Sequence, residues 1–414
     1  MPTRSFFDIR MRGFRDRAEV ADVVRLLDER VRSLGGEAVA VPEACGRVLA
    51  ENVRAEVAVP GFDRAAMDGY AVRAEETFGA GPYNPLELRI IGESLPGRPF
   101  AGRVAPGQAV RIMTGAPVPA GADAVLLAEL AREEAGVVHV SEAVSPGRHV
   151  GRRGEDVEPG RTVLSAGRVL RPQDLGLLAS LGVATVHVIR RPRVDILITG
   201  DELLPVGARP EGFKIVDSNS VMLAALVKRD GGEPRTLPLL PDRRELIRDA
   251  MRASVADVLL VSGGSSVGQE DHAPSLLAEL GELAIHGVAL RPASPTGIGF
   301  LAGRPVFLLP GNPVSCLCAY DLFAGRSIRR LGGRCPELPY RSLPLPLESK
   351  IVSAVGRVDY VRVRIQDGRA VPLAVSGASM LSTTTIADGF VLVPRDSEGY
   401  PADATVTVYR YDDI

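Results

Sequence analysis

The chain has 414 residues, of which 45% are hydrophobic and 24% are charged, and its 49 basic and 51 acidic side chains give a formal net charge of −2. A chain of this length usually folds as about two to four domains, and its composition is typical of a globular protein. The near-neutral charge, the 5% of aromatic residues and the absence of Trp argue against a nucleic-acid-binding protein, and no apolar stretch is long enough to span a membrane.

The first residues carry charges throughout and lack the apolar segment of a secretory signal, so we expect a cytoplasmic protein. The four cysteines, Cys45, Cys316, Cys318 and Cys335, show neither CxxC spacing nor a regular framework. We expect them to be small buried apolar residues, not disulfides or zinc ligands.

The predicted elements change character along the chain. Apolar residues at near-helical spacing predict a helix over 17–33, and short runs rich in β-formers between Gly and Pro predict β-rich units over about 54–185. Residues 190–332 alternate between strand and helix patterns, which indicates a parallel sheet covered on both faces. The Pro-rich segment 335–348 is typical of a linker, and an all-β module is predicted after it.

Four loops follow the predicted strands of the alternating region, where open parallel sheets bind their ligands. They are 199–202 (TGDE), 241–242 (PD), 262–268 (SGGSSVG, with Glu270 and Asp271 behind it) and 309–313 (LPGNP). Gly-rich turns and helix N-termini present N–H groups that suit phosphate or another oxyanion. Asp201, Glu202, Asp242 and Asp271 are suited to Mg²⁺, which bridges phosphate oxygens. The alternative is that the glycines only form turns and the acids only cap helices.

Three further segments in the β-rich region carry polar side chains beside glycines. Residues 60–72 (PGFDRAAMDGYAV) include Asp63 and Asp68, residues 111–117 (RIMTGAP) include Thr114, and residues 152–157 (RRGEDV) include Asp156. Each segment taken alone is also compatible with a tight turn or a solvated patch of charges. No GxxxxGK[ST] sequence occurs, which disfavours an ordinary P-loop nucleotide hydrolase.

These segments together resemble the molybdopterin molybdenumtransferases, the MoeA proteins related to the gephyrin E domain. PGFDRAAMDGYAV, RIMTGAP, GEDV, ITGDEL, IVDSN, SGGSSVG and LPGNPVS occur in that family's order, and the resemblance runs from about residue 20 to the C-terminus. It implies an α/β fold plus β-rich modules: an elongated multidomain subunit with a doubly wound, molybdopterin-binding-type domain and separate β-rich domains. The implied divisions are an extension (1–18), a helical linking domain (19–58 plus 150–185), a β-rich domain (59–149), the doubly wound domain (186–334) and a β-barrel-like domain (335–414).

The resemblance also implies a reaction, which is insertion of molybdate into adenylylated molybdopterin with release of AMP and help from Mg²⁺. Its partners would be a second copy of the chain in a homodimer, the molybdopterin adenylyltransferase and recipient molybdoenzymes. The family's catalytic residues fall on Asp68, Thr114, Asp156, Glu202 and Asp271, with Asp68 and Thr114 reaching in from the partner subunit. Glu202, Asp242 and Asp271 would hold the metal. Substrate would contact Ser262, Gly263, Gly264, Ser265, Gly268, Arg291, Ser294, Pro310, Gly311 and Asn312.

One stretch departs from the family's usual K-x-x-x-KPGKP pattern, because this chain has GVALRPASP over 287–295. Gly287 and Ser294 replace two cations that would face an anion, and Arg291 keeps one charge whose planar guanidinium can bind two oxygens at once. Three hypotheses therefore remain. They are a molybdenum-inserting transferase, a non-catalytic or altered-ligand paralog that binds a pterin-type ligand or a molybdoenzyme, and a phosphate-binding enzyme of different chemistry.

Overall fold

The computed structural model describes residues 17–264, 271–374 and 377–411. These residues form two compact units, one of residues up to 37, 46–48 and from 188 onward, and one of residues 38–45 and 49–187. No helix in the described ranges is long and apolar enough to cross a lipid bilayer. The α-helices of this part of the chain are α1 (Val20–Arg30), α2 (Pro172–Ser180), α3 (Asn219–Arg229), α4 (Arg244–Ala253), α5 (Ala273–Leu280), α6 (Pro313–Ala319), α7 (Gly325–Leu331) and α8 (Ser382–Thr385).

The strands fall into three stretches of the chain. Those before residue 190 are β1 (Gly36–Ala40), β2 (Val53–Arg54), β3 (Arg64–Ala65), β4 (Gly69–Val72), β5 (Leu86–Ser94), β6 (Gln108–Ile112), β7 (Ala124–Leu127), β8 (Ala131–Glu134), β9 (Val137–Val140), β10 (Val150–Gly151), β11 (Thr162–Leu164) and β12 (Thr185–Ile189). The middle strands are β13 (Arg193–Ile198), β14 (Leu203–Leu204), β15 (Ile215–Val216), β16 (Glu233–Thr236), β17 (Val258–Ser262), β18 (Glu282–His286), β19 (Leu290–Arg291), β20 (Gly297–Leu301) and β21 (Arg304–Leu309). The last are β22 (Ser342–Pro346), β23 (Ile351–Val352), β24 (Val358–Gln366), β25 (Arg369–Ala374), β26 (Gly389–Val393), β27 (Gly399–Tyr400) and β28 (Thr405–Arg410).

The α/β region is built on a six-stranded sheet in the order β16-β13-β17-β21-β20-β18. Because successive strand residues face opposite sides, Ile196 and Leu260 join one core with α3 and α6, whereas Leu197 and Val261 join another with α4 and α5. The four strands from β16 to β21 run parallel, as the alternating pattern predicts. The predicted parallel sheet has an antiparallel edge, because β20 runs antiparallel to β21, and β18 to β20.

Helix α1 packs on this α/β core through Val23, Leu27 and Val31. The sequence-based grouping of residues 19–58 with 150–185 therefore differs from the structure. Arg326 of α7 also pairs with Asp28, with Nη2–Oδ2 at 2.8 Å. The isolated apolar pattern of α1 contains no information about which surface receives it.

The C-terminal strands follow the order β19-β24-β26-β28-β22, with β25 on β24. A bridge between Leu347 and Ala370 joins the end of β22 to β25, so the strand path returns on itself as in a small barrel. This module is not a separate compact unit, because β19 lies in its sheet and Tyr360 and Phe390 pack into the α/β core.

The second unit contains a mainly antiparallel sheet in the order β7-β4-β6-β5-β9-β8. Its apolar side chains fill two separate cores, as expected for a sheet covered on both faces. Of the four cysteines, Cys316 and Cys318 are buried as predicted, but Cys45 and Cys335 are exposed; all four are free thiols.

Candidate active site

The predicted strand-end loops of the α/β sheet meet around one cavity of about 1030 Å³ in the first unit. Loops after β13, β16, β17 and β21 all contribute to its wall, because parallel strands bring their carboxyl ends to one sheet edge. The segments β14 and β15 and the start of α3 complete it. The polar and glycine residues of the described lining are Thr199, Gly200, Glu202, Asp217, Ser218, Asn219, Asp242, Ser262, Gly263, Gly264, Asp271, Gly311, Asn312 and Ser379.

The turn after β17 requires glycine. Gly263 has φ +100°, and a Cβ there would lie 2.0 Å from the carbonyl oxygen of Thr199. Gly264 has φ +53°, and a Cβ on it would come within 3.4 Å of Thr199 Oγ1 and 3.9 Å of Asp242 Oδ1. The two glycines therefore allow the β17 turn to lie directly against the loop after β13. Such a turn is suited to bringing backbone N–H groups close to an anion.

Asn219, at the start of α3, connects two of the loops. Its Nδ2 donates to Ser262 Oγ at 3.0 Å and to the Gly311 carbonyl oxygen at 2.8 Å. Ser262 Oγ also lies 3.3 Å from the Pro310 carbonyl oxygen and 3.8 Å from Cys316 Sγ. Burial raises the pKa of the Cys316 thiol to about 12, so this sulfur is a neutral thiol at physiological pH.

Three oxygen atoms in the wall are buried without a hydrogen-bond partner in the described part of the chain. They are Thr199 Oγ1, Asn219 Oδ1 and Asp242 Oδ1. A buried acceptor that lacks a donor costs about 1–3 kcal/mol, so proteins seldom leave one unpaired without a reason. These atoms point to a ligand or ordered water that supplies hydrogens or positive charge.

The described lining contains four acidic residues, Glu202, Asp217, Asp242 and Asp271, and no Lys or Arg. Asp242 and Asp201 cap each other, since each backbone N–H donates to the other's carboxylate at 3.2 Å. The three predicted metal ligands thus share one cavity. Within the described ranges, however, no group of three or more His, Cys, Asp or Glu is placed to hold a metal by itself.

Asp68, Thr114 and Asp156 lie in the second unit, and all three are exposed. Gly69 of β4 pairs with Ile112 of β6, which brings the residues just outside these strands together. Asp68 Oδ1 accepts from the Thr114 backbone N–H at 2.7 Å and from Thr114 Oγ1 at 2.8 Å. First the backbone N–H and then the hydroxyl of Thr114 hold the pKa of Asp68 below its usual range, so this carboxylate is ionised at neutral pH.

Arg291 is not part of the described cavity lining, although we expected a ligand contact there. Its guanidinium pairs with Asp359, a buried carboxylate that also accepts from Ser353 Oγ and Arg357 Nε. The physical reason is the parallel pairing of β19 with β24, which sets Arg291 beside Asp359. Ser294 also lies outside the lining, with its Oγ buried and without a partner among the described residues, and its neighbour Pro295 lines the cavity.

Pro310, Gly311 and Asn312 line the cavity beside Gly263 and Gly264, whereas Ser265 and Gly268 lie outside the described residues. Sequence reasoning missed Asp217, Asn219 and Ser379 as lining residues. The polar DSN tripeptide before an apolar helix was a usable signal for the first two. Ser379 Oγ donates to Asn312 Oδ1 at 2.8 Å, a contact across 67 residues that no local pattern predicts.

Replacing Gly263 with Ala is expected to weaken binding of a phosphate-bearing ligand about tenfold or more, with AMP as the probe, because the new Cβ collides with the Thr199 carbonyl and displaces the turn. Calorimetric titration measures the loss. Gly303→Ala is the matched control, since Gly303 also has a positive φ (+79°) but no atom within 4 Å of a new Cβ. Equal AMP affinity of the two variants would contradict the assigned role of the β17 turn.

Comparison with known proteins agrees with this architecture. The family described as the MoeA N-terminal region (domains I and II) matches residues 18–182, the probable molybdopterin binding domain matches 195–330, and the MoeA C-terminal region (domain IV) matches 344–411. The chain is 36% identical over 384 residues to molybdopterin molybdenumtransferase 2 of Mycobacterium tuberculosis, covering 90% of this chain and 94% of that protein. It is 34% identical over 387 residues to the molybdopterin molybdenumtransferase of Haemophilus influenzae, covering 90% of this chain and 93% of that protein.

A crystal structure of the molybdopterin biosynthesis MoeA protein from Pyrococcus horikoshii is similar over the same extent. It superimposes with a TM-score of 0.80 at 33% identity, covering 96% of this chain and all of that one. Relatives above 30% identity that extend over nearly the whole chain show common descent, and this protein belongs to the MoeA family of molybdopterin molybdenumtransferases.

Proposed function

We propose that this protein inserts molybdate into the dithiolene of adenylylated molybdopterin and releases AMP during molybdenum cofactor biosynthesis. The names of its relatives, molybdopterin molybdenumtransferases, support the reaction class. The observation that carries the proposal is the convergence of four strand-end loops, with a Gly-Gly turn and carboxylates, on one cavity. Such a cavity combines N–H donors for phosphate with oxygen ligands for a cation.

Mg²⁺ fits the donor set of this cavity. An oxyanion needs positive charge, and the described lining supplies four acidic side chains and no basic one. Mg²⁺ is usually bound by one or two carboxylates together with substrate phosphates, so a cage of three protein ligands is unnecessary. Glu202, Asp242 and Asp271 would hold it, and the unpaired Asp242 Oδ1 is one available ligand. When bound, the ion neutralises phosphate charge and favours departure of AMP.

The chain's own groups bind and orient the substrate. The amides of the turn at Gly263 and Gly264, with the loop 310–312, are suited to phosphate oxygens. Asn219 holds these two loops in register through Ser262 and Gly311. Holding both reacting groups in a fixed geometry is the main contribution that such a rigid loop set makes to rate.

The direct test is to incubate the purified protein with adenylylated molybdopterin, molybdate and Mg²⁺ and to measure AMP and molybdenum cofactor. We expect AMP release that depends on both molybdate and Mg²⁺. The lack of a cation in the described lining also favours a second candidate, a paralog that binds a pterin-type ligand without turnover. Tight binding of substrate with no AMP release would support that candidate and reject the transferase.

We also propose that the active unit is a homodimer in which Asp68 and Thr114 of one subunit complete the cavity of the other. The reaction further implies the adenylyltransferase that makes the substrate and the molybdoenzymes that receive the product as partners. Asp68 and Thr114 are exposed and preorganised by their mutual hydrogen bonds, which suits a site completed by a second chain.

Mixed dimers provide a test of the shared site. Coexpression of Asp68→Asn and Glu202→Gln chains should restore about a quarter of the wild-type rate, because about half of the dimers are mixed and each has one intact site of two. Each variant expressed alone should be nearly inactive. No recovery in tag-purified mixed dimers, or a monomer by light scattering, would refute the shared site.

A further inference from the structure

The amide of Asn219 has only one orientation compatible with its surroundings. The Gly311 carbonyl oxygen can only accept a hydrogen bond, and it lies 2.8 Å from the amide nitrogen. The second N–H of the same nitrogen is used by Ser262 Oγ at 3.0 Å. Both donors of Asn219 are therefore occupied within the protein, and Oδ1 remains as an acceptor that only an N–H, an O–H or a cation can satisfy.

This acceptor is unpaired among the described residues, although Asn219 is only 7% exposed. Apolar side chains line the same cavity, namely Leu203 of β14 and Ile215 and Val216 of β15. The two short strands pair with each other, Leu203 opposite Ile215, and β15 leads into α3 through 217–218. An unpaired acceptor in a cavity that also has apolar lining is typical of a pocket for a flat heterocycle that carries an N–H donor.

The other two unpaired oxygens, those of Thr199 and Asp242, share one neighbour, Gly264. Thr199 Oγ1 and Asp242 Oδ1 both lie near the position of a Cβ on Gly264, at 3.4 and 3.9 Å. This pair includes a carboxylate and suits the charged part of a ligand. Asn219 is neutral, and its contacts are to Ser262 and Gly311. The neutral amide and the carboxylate thus differ in the kind of ligand group that each can satisfy.

We propose that Asn219 Oδ1 accepts a hydrogen bond from an amino group of a bound nitrogen heterocycle, and that Asn219 thereby selects amino-substituted rings over their oxo analogues. The inference rests on the proposed function, whose substrate carries two such rings, adenine and a pterin. In both rings, exchange of the exocyclic amino group for an oxo group replaces the donor at that position by an acceptor, which Oδ1 cannot pair with, and leaves an N–H only on the neighbouring ring nitrogen.

Two matched ligand pairs test the proposal in the wild-type protein. AMP and IMP differ by the amino or oxo group of the purine, and pterin and lumazine by the amino or oxo group of the pteridine. We expect at least one amino ligand to bind about tenfold more tightly than its oxo analogue, the size of one buried hydrogen bond. In Asn219→Ala this ratio should fall to about one. The pair that responds identifies the ring that Asn219 contacts.

Ser262→Ala separates recognition from positioning. This substitution removes one acceptor of the Asn219 amide but leaves Oδ1 in place. The affinities for the amino and oxo ligands of a pair should therefore fall together, and the ratio of the two affinities should stay the same. The proposal would be overturned if the wild-type protein bound the amino and oxo ligands equally well in both pairs, or bound none of the four detectably. A ratio that is unchanged in Asn219→Ala would also overturn it. Failure of the transferase reaction is a distinct outcome. If the protein prefers amino ligands to oxo ligands but releases no AMP, the assignment of Asn219 still holds.

Discussion

Glu202→Gln is expected to lower the rate of AMP release by about a hundredfold or more while leaving the fold intact. Glu202 lies in the loop after β13 and lines the cavity, so its carboxylate is available to a cation and contributes little to the core. The substitution keeps the size of the side chain and removes only its charge. The free energy of unfolding should therefore change by less than about 0.5 kcal/mol.

Metal binding offers a readout that is independent of turnover. Mn²⁺ in place of Mg²⁺ can be titrated by electron paramagnetic resonance, and its affinity in the presence of AMP should fall in Glu202→Gln. Glu211→Gln is the matched control, because Glu211 is an exposed acid in the chain between β14 and β15 and does not line the cavity. Wild-type turnover and wild-type Mn²⁺ affinity in Glu202→Gln would exclude this carboxylate from the metal site.

The parallel part of the fold and the four loops could be predicted because their signals are local. Buried runs such as those of β13 and β17 end in glycines and acids, and a parallel sheet brings such ends together. Strand β20 has a weak strand pattern in the sequence, because two of its five residues are Gly. Gly299 is required there, since a Cβ would lie 2.0 Å from the Glu282 carbonyl of the antiparallel neighbour. Only the paired strand reveals that constraint.

The site residues that sequence reasoning misplaced depend on distant partners. The charge of Arg291 suggested a ligand, but its partner Asp359 is 68 residues away on a strand of the C-terminal module. Asn219 stands before an apolar helical pattern, and only the positions of Ser262 and Gly311 show that its amide has a fixed orientation. The sequence shows which chemical group a residue carries. Identifying the partner of that group requires the register of strands that are far apart in the chain.

A buried polar cluster links α3 and the turn after α6 with the C-terminal module. Arg229 donates to Asp321 Oδ1 at 3.0 Å and to Asp230 Oδ2 at 2.9 Å, and both carboxylates are fully buried. The hydroxyl of Tyr340 donates to Asp321 at 3.0 Å, and that of Tyr320 to Asp230 at 3.0 Å. Burial raises the pKa of Asp321, against the opposing effect of Arg229. The guanidinium is thus the main group that keeps this carboxylate charged.

Arg229→Met is expected to lower the free energy of unfolding by about 3–5 kcal/mol at neutral pH, because it leaves the buried Asp321 charge uncompensated while roughly preserving volume. Asp230 keeps a second ion pair, with Arg329 at 2.8 Å. A group whose pKa is raised in the folded state costs stability above its unfolded pKa, and the cost disappears as pH falls below that value. The variant should therefore recover part of its loss towards about pH 4, near the unfolded pKa of Asp, relative to wild type at the same pH.

Urea unfolding at several pH values measures both effects, and Arg248→Met is the matched control. Arg248 pairs with Asp249 on the surface of α4, where an exposed ion pair contributes less than about 1 kcal/mol. A similar small loss in both variants would mean that the Asp321 charge is already neutralised without Arg229. A large loss of unfolding free energy that is confined to Arg229→Met and becomes smaller in acid would instead show that this guanidinium stabilises the ionised cluster between α3 and the C-terminal module.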